Sequence, residues 1–265
     1  MAEKVSGFTE ETVKVGATSL VVLKGGSGKP LLVLHEELGF PGWLRWNAEM
    51  AKSRTLLIPM HPGFGRTDKA EWISNVRDLA GFYARYLREQ KLTGIDVIGI
   101  SFGGWVAAEM AANDPNLFRR MVLVAPTGIR PPKGELRDMF VTPARVYLSA
   151  SVRNPAATAE FGALFGGDET PEQFEAFEDA RAEVARLAWQ PYMHNPSLPH
   201  LLEGVSGLPT LLLWGREDGV VPLSAGEVYQ RALKDSRLVV FDNCGHRPEV
   251  EKTSEFVAQV NEFLA

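Results

Sequence analysis

Short apolar runs of strand length recur along the chain at residues 20–24 (LVVLK), 31–35 (LLVLH), 54–58 (RTLLI), 95–100 (IDVIGI), 121–125 (MVLVA), 210–214 (TLLLW) and 237–241 (RLVVF). Several are continuous rather than alternating, as strands covered on both faces must be, since a strand with one wet face alternates apolar and polar. Between them lie stretches of helical period: Val76, Leu79, Tyr83, Tyr86 and Leu87 mark one apolar face, and Phe256, Val260, Phe263 and Leu264 another. Strands alternating with helices predict an α/β chain with a doubly wound, mostly parallel sheet, whose ligands bind beyond the carboxyl ends of the strands.

The alternation breaks once, between about residues 127 and 205. There Thr170, Pro171 and Gln173 read as the N-cap, first-turn proline and capping-box partner of a helix running to about Gln190, with Phe174, Phe177, Val184 and Leu187 on its apolar side. A helical insertion between two strands, just above their tips, reads as a cap over a site. The expected division is therefore a core of residues 1–126 and 206–265 and a cap of 127–205.

Composition narrows the partner. The 265-residue chain can bury a full core, and a net charge of -5 with no Lys or Arg run removes the basic footprint that nucleic acid or an anionic membrane requires. The opening MAEKVSGFTEE lacks a signal-peptide core, no window approaches eighteen consecutive apolar residues, and Cys244 is the single cysteine. These features predict a cytoplasmic protein acting on a small molecule. They leave its oligomeric state open.

The strand IDVIGI runs into Gly99-Ile100-Ser101-Phe102-Gly103-Gly104 and then into the helix-forming WVAAEMAAN. A G-x-S-x-G serine can sit on a strained strand-to-helix turn, with its hydroxyl exposed at the sheet edge and a helix N-terminus beneath it favouring negative charge. A serine hydroxyl is a weak nucleophile and needs a base that a third group orients. After TLLLW comes Gly215-Arg216-Glu217-Asp218, and after RLVVF comes Gly245-His246-Arg247-Pro248. Serine, acid and histidine thus follow in the order that nucleophile-elbow enzymes use.

In these segments the chain resembles the α/β-hydrolase superfamily. GISFGG matches the family's elbow with nucleophile Ser101, GREDGVVP its acid loop with Asp218 rather than the neighbouring Glu217, and GHRP its histidine loop with His246. HPGFGRT at 61–67 looks like the glycine-rich turn after the family's fourth strand. The resemblance implies hydrolysis without a cofactor, through an acyl-enzyme, with a small or medium carboxylic ester as first reading. Cleavage of a carbon–carbon bond in a ring-fission keto acid is the alternative. A further one is a non-catalytic ligand receptor of the same fold. Where the family strand that LLVLH resembles usually ends His-Gly-x, this chain has His35-Glu36-Glu37. The resemblance makes the backbone N–H groups of Glu37 and Phe102 the oxyanion hole, and puts Glu36 where glycine is usual.

A carboxylate about 4 Å from a developing oxyanion opposes it by roughly 4 kcal/mol at an effective dielectric of 20, cancelling the roughly 2.7 to 4 kcal/mol that one hole donor supplies. Glu37 is therefore expected to lend its N–H while its side chain is turned away, paired with a cation or held protonated. Glu36 is expected to point toward solvent or a buried partner. A sharper expectation has one of the two carboxyls touching substrate or donating a proton. Phe40, Trp43, Trp105, Phe161, Phe165 and Trp189 are candidates for an apolar lining, with Glu36, Phe40, Trp105 and Trp189 as the substrate contacts. Two lookalikes fail: GGSGK at 25–29 is followed by Pro30 where a phosphate loop needs Ser or Thr, and HEELG ends in Gly39 where a zinc helix needs a second histidine. No metal site is expected.

Overall fold

The computed structural model describes residues 7–162 and 170–265. Its centre is an eight-stranded sheet of β1 (Phe8–Val15), β2 (Thr18–Gly26), β3 (Lys29–Leu34), β4 (Arg54–Pro59), β5 (Ile95–Ile100), β6 (Phe118–Val124), β7 (Thr210–Gly215) and β8 (Ser236–Phe241), in the order β1-β2-β4-β3-β5-β6-β7-β8. From β4 to β8 all neighbours are parallel, while β1–β2 and β2–β4 are antiparallel. The strand without an apolar run in the sequence is β1. Its segment FTEETVKV is almost wholly exposed and is held by its ladder to β2, so no hydrophobic pattern announces it.

Side-chain alternation explains why the inner strands read as continuous apolar runs. On β3, Leu32 and Leu34 join the core under helices α2 (Val76–Glu89) and α3 (Phe102–Asn113), whereas Leu31 and Val33 join the core on the other face, with Trp46 and Met50 of α1 (Arg45–Met50). On β7, Leu212 and Trp214 face the first core, Leu211 and Leu213 the second. Each face is dry, so every position must be apolar. Helix α3 is buried nearly all round and lies at the centre, starting where β5 ends.

Between β6 and β7 the described chain forms α4 (Ala144–Ala150), α5 (Pro171–Ala188) and α6 (Leu198–Leu202), followed after β7 by α7 (Leu223–Ala232), α8 (Pro248–Glu251) and α9 (Thr253–Leu264). The Thr170 hydroxyl accepts the Gln173 N–H at 3.2 Å, so α5 starts where its cap signal stands and ends two residues before Gln190. Val184 and Leu187 are buried as its period requires, but Phe174 on the expected apolar side is 53% exposed. Phe165 lies outside the described residues.

Candidate active site

The nucleophile candidate owes its position to two glycines and a strained backbone. Ser101 sits between β5 and α3 with φ 49° and ψ -112°, outside the ordinary helical and extended regions. A Cβ on Gly103 would collide with the Leu34 and His35 carbonyls, and one on Gly99 would press on the Gly103 backbone at 2.6 Å. Only residues without a side chain let the tip of β3 and the start of α3 close on the turn that presents the serine.

The three loop candidates converge. His246 Nε2 lies 2.9 Å from Ser101 Oγ, and His246 Nδ1 lies 2.8 Å from Asp218 Oδ2. An ionised carboxylate can only accept, so the imidazole proton belongs on Nδ1, leaving Nε2 to accept the serine proton. Asp218 is fixed in turn by the Val220 and Val221 N–H groups, each donating to Oδ1 at 2.8 Å. Burial works against protonating His246, but the Asp218 carboxylate and then Glu37 outweigh it and hold the imidazole above its ordinary pKa. The rival acid Glu217 points elsewhere, accepting the Cys244 N–H at 3.0 Å.

A second loop is pinned by two neutral histidines. His35 Nε2 accepts the His61 N–H at 2.9 Å and its Nδ1 donates to the Glu36 carbonyl at 2.8 Å. His61 Nε2 donates to the His35 carbonyl at 3.0 Å, and its Nδ1 accepts from Tyr83 Oη at 2.6 Å. Burial lowers both, His35 to about 4 and His61 well below its ordinary value, so each keeps the single-proton form that this pattern needs. Together they fix the backbone just ahead of Glu37.

Glu36 and Glu37 part company. Glu36 is buried and pairs with Arg247, which donates from Nε to Ser151 Oγ at 2.8 Å and lies 3.8 Å from Glu249. The expectation of a buried partner therefore describes Glu36, whose carboxylate is committed to Arg247.

For Glu37 the expectation of a side chain turned away is corrected. Its carboxylate points into the site: Oε1 accepts the Tyr147 hydroxyl at 2.6 Å, and Oε2 faces the Phe102 N–H at 3.4 Å. Ser101 and its own backbone N–H lie close enough to favour its charged form. Burial would protonate it, but His246 and these hydrogen bonds prevail and hold its pKa below the ordinary glutamate value. The protonated alternative is thus also corrected.

The expectation of an exposed serine hydroxyl fails with it. Ser101, Phe102 and Glu37 are all 0% exposed, and Tyr147 of α4 donates to the Glu37 carboxylate. Tyr147 carries no motif, and its partner is 110 residues away, so only the fold could reveal it.

The aromatic candidates divide. Phe40 lines a small cavity with His35, Glu36, Arg247 and Glu249. Trp105 is buried on α3 with its Nε1 donating to Glu109 at 3.0 Å. Trp43 stacks on Phe8 at 5.4 Å, beneath the sheet edge. Trp189 is 58% exposed and tilts against Phe140 at 5.3 Å, a surface contact that corrects its placement in a pocket wall. Among the described residues no group of three or more His, Cys, Asp or Glu could hold a metal ion, and no helix is long and apolar enough to cross a membrane.

Comparison with known proteins adds kinship to this geometry. The model of a family described as alpha/beta hydrolase matches residues 31–260. A 2-hydroxymuconate semialdehyde hydrolase from Pseudomonas sp. strain CF600 is 29% identical over 91% of this chain and 88% of its own length. Among solved structures, a meta-cleavage product hydrolase from Pseudomonas fluorescens IP01 aligns with TM-score 0.78 and 23% identity over 96% of this chain and 97% of the other. A membrane phospholipase A described as a bacterial virulence factor aligns with TM-score 0.72 and 27% identity over 97% and 86%.

Proposed function

The chain belongs to the alpha/beta hydrolase family, and from that premise we propose that it splits a small molecule at a carbonyl carbon, with Ser101 as nucleophile, His246 as base and Asp218 as the group that orients and stabilises the imidazolium. The observation that carries this reading is the unbroken hydrogen-bond chain Ser101–His246–Asp218, drawn from three separate strand ends. Attack by Ser101 Oγ passes its proton to His246 Nε2. The imidazolium gives that proton to the leaving group, and water activated by the same histidine then clears the acyl-enzyme. The Phe102 and Glu37 N–H groups receive the oxyanion.

The bond we favour is the carbon–carbon bond beside a ketone in a ring-fission keto acid, which moves ahead of the ester. Its support is the curated relative, named for hydrolysis of a muconate semialdehyde and matched over 91% of this chain. Ester cleavage stands as second reading, favoured by the local charge: the Glu37 and Asp218 carboxylates flank His246, an environment easier on a neutral ester than on an acid.

In this reading residues 127–205 act as the cap, with α4 delivering Tyr147 to Glu37, and the carbonyl of Ser151, just after α4, accepting the His246 N–H at 2.9 Å. A panel of ring-fission ketones and short acyl esters, run beside Ser101→Ala, tests the choice. Turnover of the ketones at least tenfold above the esters supports the first reading; the reverse ratio moves the ester ahead. A wild type that turns over neither and resists a fluorophosphonate leaves the ligand-receptor alternative.

A further inference from the structure

The Glu37 carboxylate lies where the carbonyl oxygen of a substrate has to go. The Phe102 N–H, one of the two proposed donors of the hole, faces it at 3.4 Å. Ser101 has one hydroxyl proton, which His246 Nε2 accepts at 2.9 Å, and the Glu37 carboxylate stands beside the same hydroxyl. The serine, both hole donors and the carboxylate are sealed from solvent. While Glu37 stays, a carbonyl cannot find the Phe102 N–H unpaired.

The shortest hydrogen bond on this carboxylate comes from a tyrosine in another part of the chain. Tyr147 Oη donates to Oε1 at 2.6 Å, a short bond to a charged acceptor, and it comes from α4, a helix outside the sheet. The occupant is attached to the β3 loop, whose backbone the His35–His61 pair keeps in place, so only the side chain can swing.

We propose that the Glu37 side chain is a displaceable occupant of the oxyanion hole, latched by Tyr147, that yields to a neutral acyl carbonyl and rejects acyl groups carrying a negative charge beside it. The proposal rests on the hydrolase reading above. Once displaced, the carboxylate remains within a side chain's length of the hole. A second anion about 4 Å from it at an effective dielectric of 20 would be disfavoured on the order of a thousandfold. The restriction falls on the acyl side; a carboxylate several bonds away, on the leaving fragment, escapes it. Glu37 is thus a specificity-determining residue for either bond type.

Trifluoromethyl ketones test this without knowledge of the natural substrate. Ser101 Oγ adds to the ketone carbon, its proton passes to His246, and the alkoxide needs the hole. A neutral alkyl ketone is expected to bind Glu37→Gln at least tenfold more tightly than wild type. Tyr147→Phe should shift binding in the same direction by a smaller factor. An analogue with a carboxylate near the carbonyl should gain more from Glu37→Gln than the neutral ketone does, a change of selectivity that mere loosening of the fold would not produce. Ketone affinity in Glu37→Gln equal to or below that of wild type overturns the gate. Failure of both the wild type and Glu37→Gln to bind the ketone, with no fluorophosphonate taken on Ser101 in either, overturns the hydrolase reading, and the gate with it.

Discussion

The two sides of the Ser101 hydroxyl are prepared for different moments of a reaction. On the His246 side the groups already stand as proton transfer needs them, with Nε2 at 2.9 Å and Asp218 behind it at 2.8 Å. On the Phe102 side the N–H proposed to receive a developing negative charge already faces one, the Glu37 carboxylate at 3.4 Å. The first side is preorganised; the second must be cleared. Site preorganisation is usually described as a property of the whole constellation, but here it belongs to half of it.

Breaking the prepared side should cost most. Ser101→Ala is expected to lower turnover by three to six orders of magnitude, because the residual rate then comes only from binding and the hole. Its melting temperature should stay within a few degrees of wild type, since one buried oxygen is lost and no packing volume with it. Asp218→Asn should follow with a loss of about four orders, as its amide can no longer hold the Nδ1–H tautomer. Glu217→Gln, one residue away, should stay within about twofold, because that carboxylate serves the Cys244 N–H. Parallel kcat/KM measurements decide whether the acid is Asp218 alone.

The same division separates what the sequence makes legible from what it hides. Ser101, Asp218 and His246 sit at the carboxyl ends of β5, β7 and β8, and each is announced by a short motif in a strand-to-loop context, so local residues suffice to place them. The sheet is legible wherever both of its faces are dry. Strand β1 is not, because its stability comes from backbone pairing and its side chains are wet. The donor role of Phe102 could be argued from position; the direction of the Glu37 side chain could not. That direction is set by Tyr147, and the direction of Glu36 by Arg247, partners 110 and 211 residues distant. Trp189 misleads for the opposite reason: a large aromatic in a helical segment implies burial, yet it is 58% exposed and tilts against Phe140.

A finer probe reads one side through the other. Glu37 contributes to raising the His246 pKa, second to Asp218 among the groups that do so, while burial and Arg247 act in the opposite sense. The base works only when neutral, so kcat/KM should fall with acid along a limb above the ordinary histidine value of 6.5. Removing the Glu37 charge removes one support of the imidazolium, so the limb in Glu37→Gln should move to lower pH, by a fraction of a unit to about one unit. A limb that stays in place would mean that the two sides are electrostatically independent.

The smallest expected effect lies behind both sides, in the buried cluster where Arg247 meets Glu36 and Glu249. Burial pushes Glu249 up to about 7 despite the opposing charge of Arg247, and among the described residues its Oε2 has no hydrogen-bond partner. An unfolded glutamate titrates near 4.5, so between about 4.5 and 7 the folded chain holds a proton that the unfolded chain has released. Stability contributed by this group is therefore present at low pH and lost as pH rises through that window, by at most about 3 kcal/mol. Glu249→Gln has no proton to lose. Its melting temperature relative to wild type should climb by several degrees between pH 5 and pH 8, while the Ser101–His246 arrangement continues to take a fluorophosphonate at the wild-type rate. A flat difference across that range would show that Arg247 keeps Glu249 ionised throughout. The cluster would then be a fixed ionic support for His246, and only the Glu37 side of the serine would be left as the part of the site able to change.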